Sequence, residues 1–139
     1  AAFAAAAELA GEEGEARAAH AAAVREALLE GLRRHLGADA FVVNGDPAHR
    51  LPHIANVSFP GIPSETMLMN LDLEGVAASG GAACSSGSLK PSAVLTAMGV
   101  PRELLLSAVR FSFGLGNTME EAEQTAKIIA TISARIRNR

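Results

Sequence analysis

The chain has 139 residues, 49% of them hydrophobic and 19% charged, which is enough apolar material for the core of one globular domain. Its net charge of −3, with both signs scattered along the chain, argues against a nucleic-acid partner, which requires a basic face. The alanine-rich start has no basic leader and carries glutamates from Glu8 onward, so we expect neither a signal peptide nor a membrane-spanning segment.

An amphipathic helix is predicted over residues 16 to 37. Its apolar residues have the four-residue spacing of one helix face, and Gly37 is suited to end it. Gly11 and Gly14 interrupt a helical composition and leave open whether residues 1 to 10 belong to the same helix. The apolar stripe consists of Val24, Leu28, Leu32 and Leu36.

Two short strands and a second helix are predicted next. Residues 40 to 43 and 54 to 59 have the composition of strands, and an Asn-Gly turn follows the first of them. Residues 64 to 72 combine helical spacing with an acidic residue in the first turn, and Ser64 is the predicted N-cap.

The rest of the chain predicts four further elements. In one of them, a strand, apolar residues alternate with a second face that contains Arg110. The last helix opens with a capping box formed by Thr118 and Glu121. The elements are a weak strand at 75 to 81, a helix at 91 to 99, a strand at 107 to 114 and a helix beginning at Thr118.

This order of elements predicts an α+β fold of a single domain, residues 1 to 139. Helices alternating with short strands favour a small, mainly antiparallel sheet that is covered by helices on one face. No internal repeat or low-complexity linker divides the chain.

Cys84, the only cysteine, lies in the segment SGGAACSSGSLKPS at residues 79 to 92. A single cysteine excludes an internal disulfide and a cysteine-rich zinc site, and it points to the cytoplasm. Free cysteines are commonly buried among apolar residues, but a loop of glycine and serine offers no such surroundings and suits a moving nucleophile. We therefore predict a reactive Cys84 on a mobile loop of residues 80 to 88.

Arg110 stands in the middle of an otherwise apolar strand. An arginine there is costly to bury unless it meets a carboxylate or phosphate, so it either faces solvent or binds an anion. Neither Lys90, at a helix start, nor Lys127, in the amphipathic last helix, is placed like a Schiff-base amine. The four histidines, which have no metal-like spacing, are His20, His35, His49 and His53.

Several motifs occur together in a definite order. The segment GGAACSSGSLKPSAVLTAMG is followed by RFSFG and by NTMEEAE, and NGDPAHRLPHIANVSFPGIPSETMLMNLD precedes all three. They resemble the Ser-Gly-Ser-Ala-Cys-Ser/Thr-Ser-Gly segment, the Arg-Phe-Ser-Leu-Gly motif, the acidic helix opening and the Asn-Val-Ser-Phe strand of one family. Over essentially its whole length, the chain resembles the C-terminal small domain of cysteine desulfurases, pyridoxal-phosphate enzymes of the class V aminotransferase group.

The resemblance implies an enzyme that converts L-cysteine to L-alanine, with pyridoxal phosphate as the electron sink. The enzyme thiolate attacks the substrate sulfur, keeps it as a persulfide and passes it to a sulfur-acceptor or scaffold protein in iron-sulfur cluster assembly. On this chain the resemblance assigns the persulfide to Cys84 and the substrate carboxylate to Arg110. It further implies a homodimer.

In that family the cofactor-binding lysine, the histidine stacked on the cofactor and the aspartate at its pyridine nitrogen belong to a larger preceding domain. We therefore expect residues 1 to 37 to lead in from that missing domain, and the chain alone to be inactive. Departures from the family pattern affect hydrogen bonding near the loop but leave Cys84 and Arg110 in place. They are Gly80, Ala82, Leu115, Gly116 and Met119.

Two other classes of function stay open. The chain is alternatively a stand-alone persulfide carrier or binding module without pyridoxal-phosphate chemistry of its own, or a degenerate domain kept for dimer or scaffold contacts. Retention of Cys84 and Arg110 argues against the degenerate domain, and the missing lysine separates the enzyme from the carrier. A selenocysteine lyase-like domain is a further alternative within the enzyme class.

Overall fold

The structure, a computed structural model, describes residues 1–80 and 91–138. Within these residues, five helices and three strands follow one another in the order of an α+β fold, with a short 3-10 turn at Ala38–Ala40. In chain order they are α1 (Ala2–His35), β1 (Val42–Val43), β2 (Ile54–Ser58), α2 (Ser64–Leu73), α3 (Ala93–Ala97), α4 (Arg102–Leu105), β3 (Ala108–Ser112) and α5 (Met119–Arg137).

Helix α1 confirms the predicted amphipathic helix and extends it to Ala2. Gly11 and Gly14 do not interrupt the helix, because each costs only about 1 kcal/mol relative to alanine, less than a break in the backbone hydrogen bonds of a long helix. The predicted stripe is buried as far as Leu32. Gly37 follows the helix with φ of +95°, a conformation that glycine adopts without strain.

The three strands form an antiparallel sheet in the order β1, β2, β3. Val57 of β2 lies opposite Val43 of β1 on one side and opposite Val109 of β3 on the other. Of the weak strand predicted at 75 to 81, the described residues 75–80 form one antiparallel bridge, between Ser79 and Arg110 at the outer edge of β3. Small side chains contribute little cross-strand packing, which accounts for so short a pairing.

One face of the sheet belongs to the same hydrophobic core as helices α1, α2 and α5. Alternate residues of the two longer strands point into this core, as the period-two pattern of β3 predicted. The α+β fold and the small antiparallel sheet are therefore confirmed. The strand residues of the core are Ala55, Val57, Val109 and Phe111, and helical residues include Leu28, Leu32, Met67, Leu71, Ala126 and Ile129.

Three local details differ from the predictions. Pro63 takes the N-cap position of α2, and Ser64 makes no side-chain cap but donates its backbone N–H to the carbonyl of Leu106 at 2.9 Å. Helix α3 is capped by Ser92, so Pro91 lies outside it. Helix α4 was not predicted, because four residues are too few to show a helical period.

The capping box of α5 is confirmed: Thr118 Oγ1 accepts from the backbone N–H of Glu121 at 3.1 Å, and Glu121 Oε2 accepts from that of Thr118 at 2.9 Å. No helix in the described ranges is long and apolar enough to cross a membrane.

Candidate functional site

A row of polar residues crosses the sheet on the face opposite the core. Arg110 alternates along β3 with the buried Val109 and Phe111, so its side chain leaves from the other face. Asn56 of β2 lies opposite Arg110 in register, and Asn44 lies beside Asn56, donating its backbone N–H to the Asn56 carbonyl at 2.9 Å. We call Asn44, Asn56 and Arg110 the polar row; it runs from β3 across β2 to the residue that follows β1.

Arg110 and Asn56 form the closer of the two kinds of antiparallel pair. The backbone N–H and C=O of Arg110 are both bonded to Ser79, at 2.6 and 3.0 Å, so they point away from Asn56. In such a non-hydrogen-bonded pair the Cα atoms are only about 4.5 Å apart and the side chains approach closely. The Asn56 amide and the Arg110 side chain are thus direct neighbours.

The orientation of the Asn56 amide is fixed from the β1 side. Asn44 Nδ2 donates to Asn56 Oδ1 at 2.7 Å and to Ser58 Oγ at 2.8 Å. Ser58, which is fully buried, in turn donates its hydroxyl to the carbonyl of Leu104 at 2.8 Å. Because the Asn56 oxygen faces Asn44, its Nδ2 group, with two N–H donors, is directed away from Asn44.

Arg110 is partly buried and is not satisfied by the part of the chain that the structure describes. Its Nε is buried without a hydrogen-bond partner there, and it forms no ion pair with any described acidic residue. The stretch 81–90 contains neither aspartate nor glutamate, so it offers no carboxylate side chain either. A buried unpaired donor costs about 1 to 3 kcal/mol, more when it is charged. Arg110 therefore has the properties of an anion-binding residue.

Cys84 lies outside the described residues, as does nearly all of the loop of residues 80 to 88. The reactivity of Cys84 and the mobility of that loop stay predictions. The described chain reaches this segment through Ser79 and Gly80, and Ser79 is the residue paired with Arg110. The segment that carries the cysteine therefore starts beside the polar row.

A cavity of about 430 Å³ lies elsewhere, between α1, the first turns of α5 and residues 74 to 77. Its lining includes the core residues Val24 and Phe111 and the acidic residues Glu74 and Glu121. Among the residues that the structure describes, no lysine, arginine or histidine lines it. An anionic ligand has no counter-charge in this cavity, so the polar row is the better candidate site.

The described residues do not fit pyridoxal phosphate. Lys127 is exposed on α5, far from the desolvated setting that a Schiff-base lysine requires, and Lys90 lies outside the described residues. Three histidine rings are engaged by other partners: His20 by the carbonyl of Asn117, His35 by Glu123 and His49 by Asp46. The described residues also contain no cluster of histidine and acidic side chains suited to a metal ion.

Asn44 and Asn56 were not among the residues singled out from the sequence. The alternation in IANVS places Asn56 opposite the core, and this signal was available. That Asn56 neighbours Arg110 depends on the register between β2 and β3. Even the register partners closest in sequence, Ser58 and Ala108, are 50 residues apart, and no local pattern fixes such a pairing.

The model of the family described as aminotransferase class-V matches residues 1–125. The chain therefore belongs to the class-V aminotransferase family.

Among curated proteins, the chain is 52% identical over 98 residues to the putative cysteine desulfurase IscS 1 of Bacillus subtilis (strain 168), a match that covers 70% of this chain and 26% of the relative. It is 43% identical over 127 residues to the cysteine desulfurase IscS of Anaeromyxobacter sp. (strain Fw109-5), covering 91% of this chain and 30% of the relative. The chain thus spans less than a third of the length of these relatives.

A solved structure titled NifS-like protein superimposes with a TM-score of 0.75 at 31% identity, covering 92% of this chain and 31% of that one. DndA from Streptomyces lividans superimposes with a TM-score of 0.54 at 36% identity, over 78% of this chain and 29% of its own. Both comparisons match this chain to part of a longer protein.

Proposed function

We propose that this chain is the C-terminal small domain of a cysteine desulfurase, an enzyme that converts L-cysteine to L-alanine and receives the sulfur on Cys84. The observation that carries the proposal is the unsatisfied Arg110, whose strand pairs with the residue that leads into the cysteine segment. The names of the relatives and the family match support it.

In this proposal Arg110 binds the carboxylate of the substrate. A guanidinium offers a planar fork of donors that matches the two oxygens of a carboxylate. Since the described residues provide no acidic partner, the anion that completes the site arrives with the substrate. Binding at Arg110 holds the amino acid over the polar row, next to the start of the cysteine segment.

Cys84 receives the sulfur in this proposal. Its thiolate forms a sulfur–sulfur bond with the substrate sulfur while the carbon–sulfur bond of the substrate breaks. The electron pair of the broken bond stays with the carbon fragment, which takes up a proton and leaves as alanine. Pyridoxal phosphate, which supplies the electron sink in this family, is held by a part of the longer enzyme outside this chain. The persulfide then passes to an acceptor or scaffold protein, in a cytoplasmic homodimer.

The test is a chimera in which this chain replaces the matching segment of the Bacillus subtilis relative. We expect the chimera to form alanine from L-cysteine and Cys84→Ala to abolish sulfur transfer, while the visible absorbance of the bound cofactor is retained. Loss of that absorbance in Cys84→Ala, or undiminished sulfur transfer, would show that Cys84 has another role. L-Selenocysteine as a competing substrate distinguishes a selenocysteine lyase-like activity.

One observation favours a second candidate, a persulfide carrier without pyridoxal-phosphate chemistry. The described residues contain no buried lysine that could hold the cofactor, and in this second candidate the sulfur on Cys84 comes from another protein. The mass and visible spectrum of the natural protein decide between the two candidates. A longer chain with a yellow cofactor band supports the desulfurase, and a colourless species of 14.3 kDa supports the carrier.

A further inference from the structure

We propose that Asn56, held in orientation by Asn44, is a second carboxylate-binding residue beside Arg110. The polar row then binds a carboxylate through two neighbouring strands, with Arg110 supplying the charge and Asn56 Nδ2 supplying a directed N–H donor. The inference rests on the proposed function only in naming the ligand as the carboxylate of an amino-acid substrate.

Asn56 and Arg110 both present hydrogen-bond donors where their side chains meet on the sheet. Arginine has donors and no acceptor, and the acceptor oxygen of Asn56 is already engaged by Asn44 Nδ2 at 2.7 Å. Two sets of donors, from Asn56 and Arg110, therefore stand side by side in the closer type of strand pair. The Asn56 oxygen does not satisfy Arg110 Nε, which has no partner among the described residues.

No acidic side chain flanks Asn56 and Arg110 on the described strands β2 and β3. The residues that flank the pair on the same face of the two strands are Ile54 and Ser58 on β2 and Ala108 and Ser112 on β3. None is acidic, and Arg110 Nε has no partner among the described residues. A ligand with two acceptor oxygens satisfies both donors at once, whereas a neutral ligand with one oxygen satisfies only one of them.

The positive charge of the polar row indicates the charge of the ligand. Arg110 is the one cation within the described strands β1, β2 and β3. Asn44 and Asn56 also line a cavity of about 150 Å³ whose three cationic or titratable side chains are each bonded to an acid or a carbonyl of the chain; they are Arg25, His49 and Arg50. A singly charged carboxylate matches this single cation, whereas a phosphate dianion requires more positive charge to offset its loss of hydration. We therefore assign the pair to a carboxylate.

The test is a titration of the ¹⁵N-labelled 139-residue chain with propionate, observing the Asn56 side-chain amide and the Arg110 Nε–H signals. We expect both signals to shift saturably with propionate, but not with propanamide, and less with inorganic phosphate at equal ionic strength. A shift of Arg110 without Asn56, a shift of neither, or a stronger response to phosphate would each overturn the inference.

Two variants separate binding from folding. Asn56→Asp keeps one oxygen that accepts from Asn44, so the fold should persist. Its second oxygen replaces the Nδ2 donor and pairs with Arg110, so propionate binding should be lost. Asn56→Ala should weaken binding about three- to tenfold, the effect of one hydrogen bond. Asn138→Ala, at the exposed C-terminal end of α5, is the matched control and should leave binding unchanged. Wild-type binding by a folded Asn56→Asp chain would also overturn the inference.

The chimera distinguishes this inference from the proposed function. There, Asn56→Ala should raise KM for L-cysteine with little change in kcat, because the lost contact serves ground state and transition state alike. If the chimera is active and its KM for L-cysteine does not change in Asn56→Ala, the inference about Asn56 is wrong and the proposed function is not affected. If propionate binds at Asn56 and the chimera is inactive, the proposed function is contradicted and the carboxylate site is supported.

Discussion

At the scale of single residues, Arg110 has a buried Nε without a partner among the described residues. A structural arginine is normally satisfied by acids or carbonyls of its own chain, as Arg25 is by Glu26 at 2.8 Å and by the carbonyl of Leu51 at 2.8 Å. The difference between these two arginines is the physical basis for assigning Arg110 to a ligand.

Arg110→Lys in the chimera should raise KM for L-cysteine about fivefold to 150-fold, which corresponds to about 1 to 3 kcal/mol. The charge is kept, but the planar fork that engages two carboxylate oxygens is lost. Steady-state kinetics measure the effect, with Arg102→Lys on the exposed start of α4 as the matched control. Unchanged kinetics in Arg110→Lys would mean that the carboxylate is bound elsewhere.

The sequence identified Arg110 because an arginine interrupts an alternating apolar strand, a signal contained within eight residues. It could not identify Asn56 or Asn44 as its companions. Their role depends on strand register and on the hydrogen bond between two asparagine side chains, and both arise only when distant segments pack.

Among the secondary-structure elements, helices α1 and α5 are in close contact at Gly31. A Cβ atom at this position would lie 2.7 Å from Ala126 Cβ and 2.9 Å from Glu123 Oε2. Helices approach this closely only where one of them lacks a side chain, so Gly31 sets the contact between the two long helices. The sequence alone could not predict the role of Gly31, because the contact between α1 and α5 forms only when the two helices pack.

Gly31→Ala should therefore lower the free energy of unfolding of the chain by about 1 to 3 kcal/mol through overpacking. Gly14→Ala in the same helix, where an added Cβ meets nothing within 4 Å, should leave stability unchanged or raise it by up to about 1 kcal/mol. Chemical denaturation compares the two variants. Equal effects would contradict the close crossing.

Glu123 joins the same two helices by accepting from His35 Nε2 at 2.7 Å and from Arg34. The hydrogen bond from His35, and secondarily that from Arg34, hold the pKa of Glu123 below its ordinary value of 4.5. A lowered folded-state pKa means that this contribution to stability is complete above about pH 4.5 and is lost as the pH falls through the lowered pKa.

Glu123→Gln should accordingly destabilise the chain near neutral pH, and its difference from wild type should shrink below about pH 4.5. Denaturation at several pH values measures this difference, with Glu30→Gln on the exposed side of α1 as the control. A difference that stays constant down to acid pH would show that the carboxylate of Glu123 is not the stabilising group.

For the molecule as a whole, the α+β fold could be predicted from the spacing of apolar residues. Segments in which this spacing is helical alternate along the chain with segments in which every second residue is apolar. Capping was predicted correctly for α5, where Thr118 and Glu121 lie three residues apart, and wrongly for α2. There the backbone N–H of Ser64 bonds the distant Leu106, a tertiary contact that overrides the local signal.

The 139-residue chain alone should release no alanine from L-cysteine, whereas the chimera should. The reason is that the described residues hold no buried lysine for the cofactor, although they include the proposed carboxylate site. An assay for alanine with added pyridoxal phosphate checks this expectation. Turnover by the isolated chain would show that it carries a complete active site.

Transfer of the sulfur of L-cysteine to Cys84 can be measured by mass spectrometry after a single turnover of the chimera. We predict that the peptide containing Cys84 gains the mass of one sulfur atom, that the gain is reversed by a thiol reductant, and that it accompanies release of one alanine. Alanine released while the Cys84 peptide remains unmodified would contradict the account.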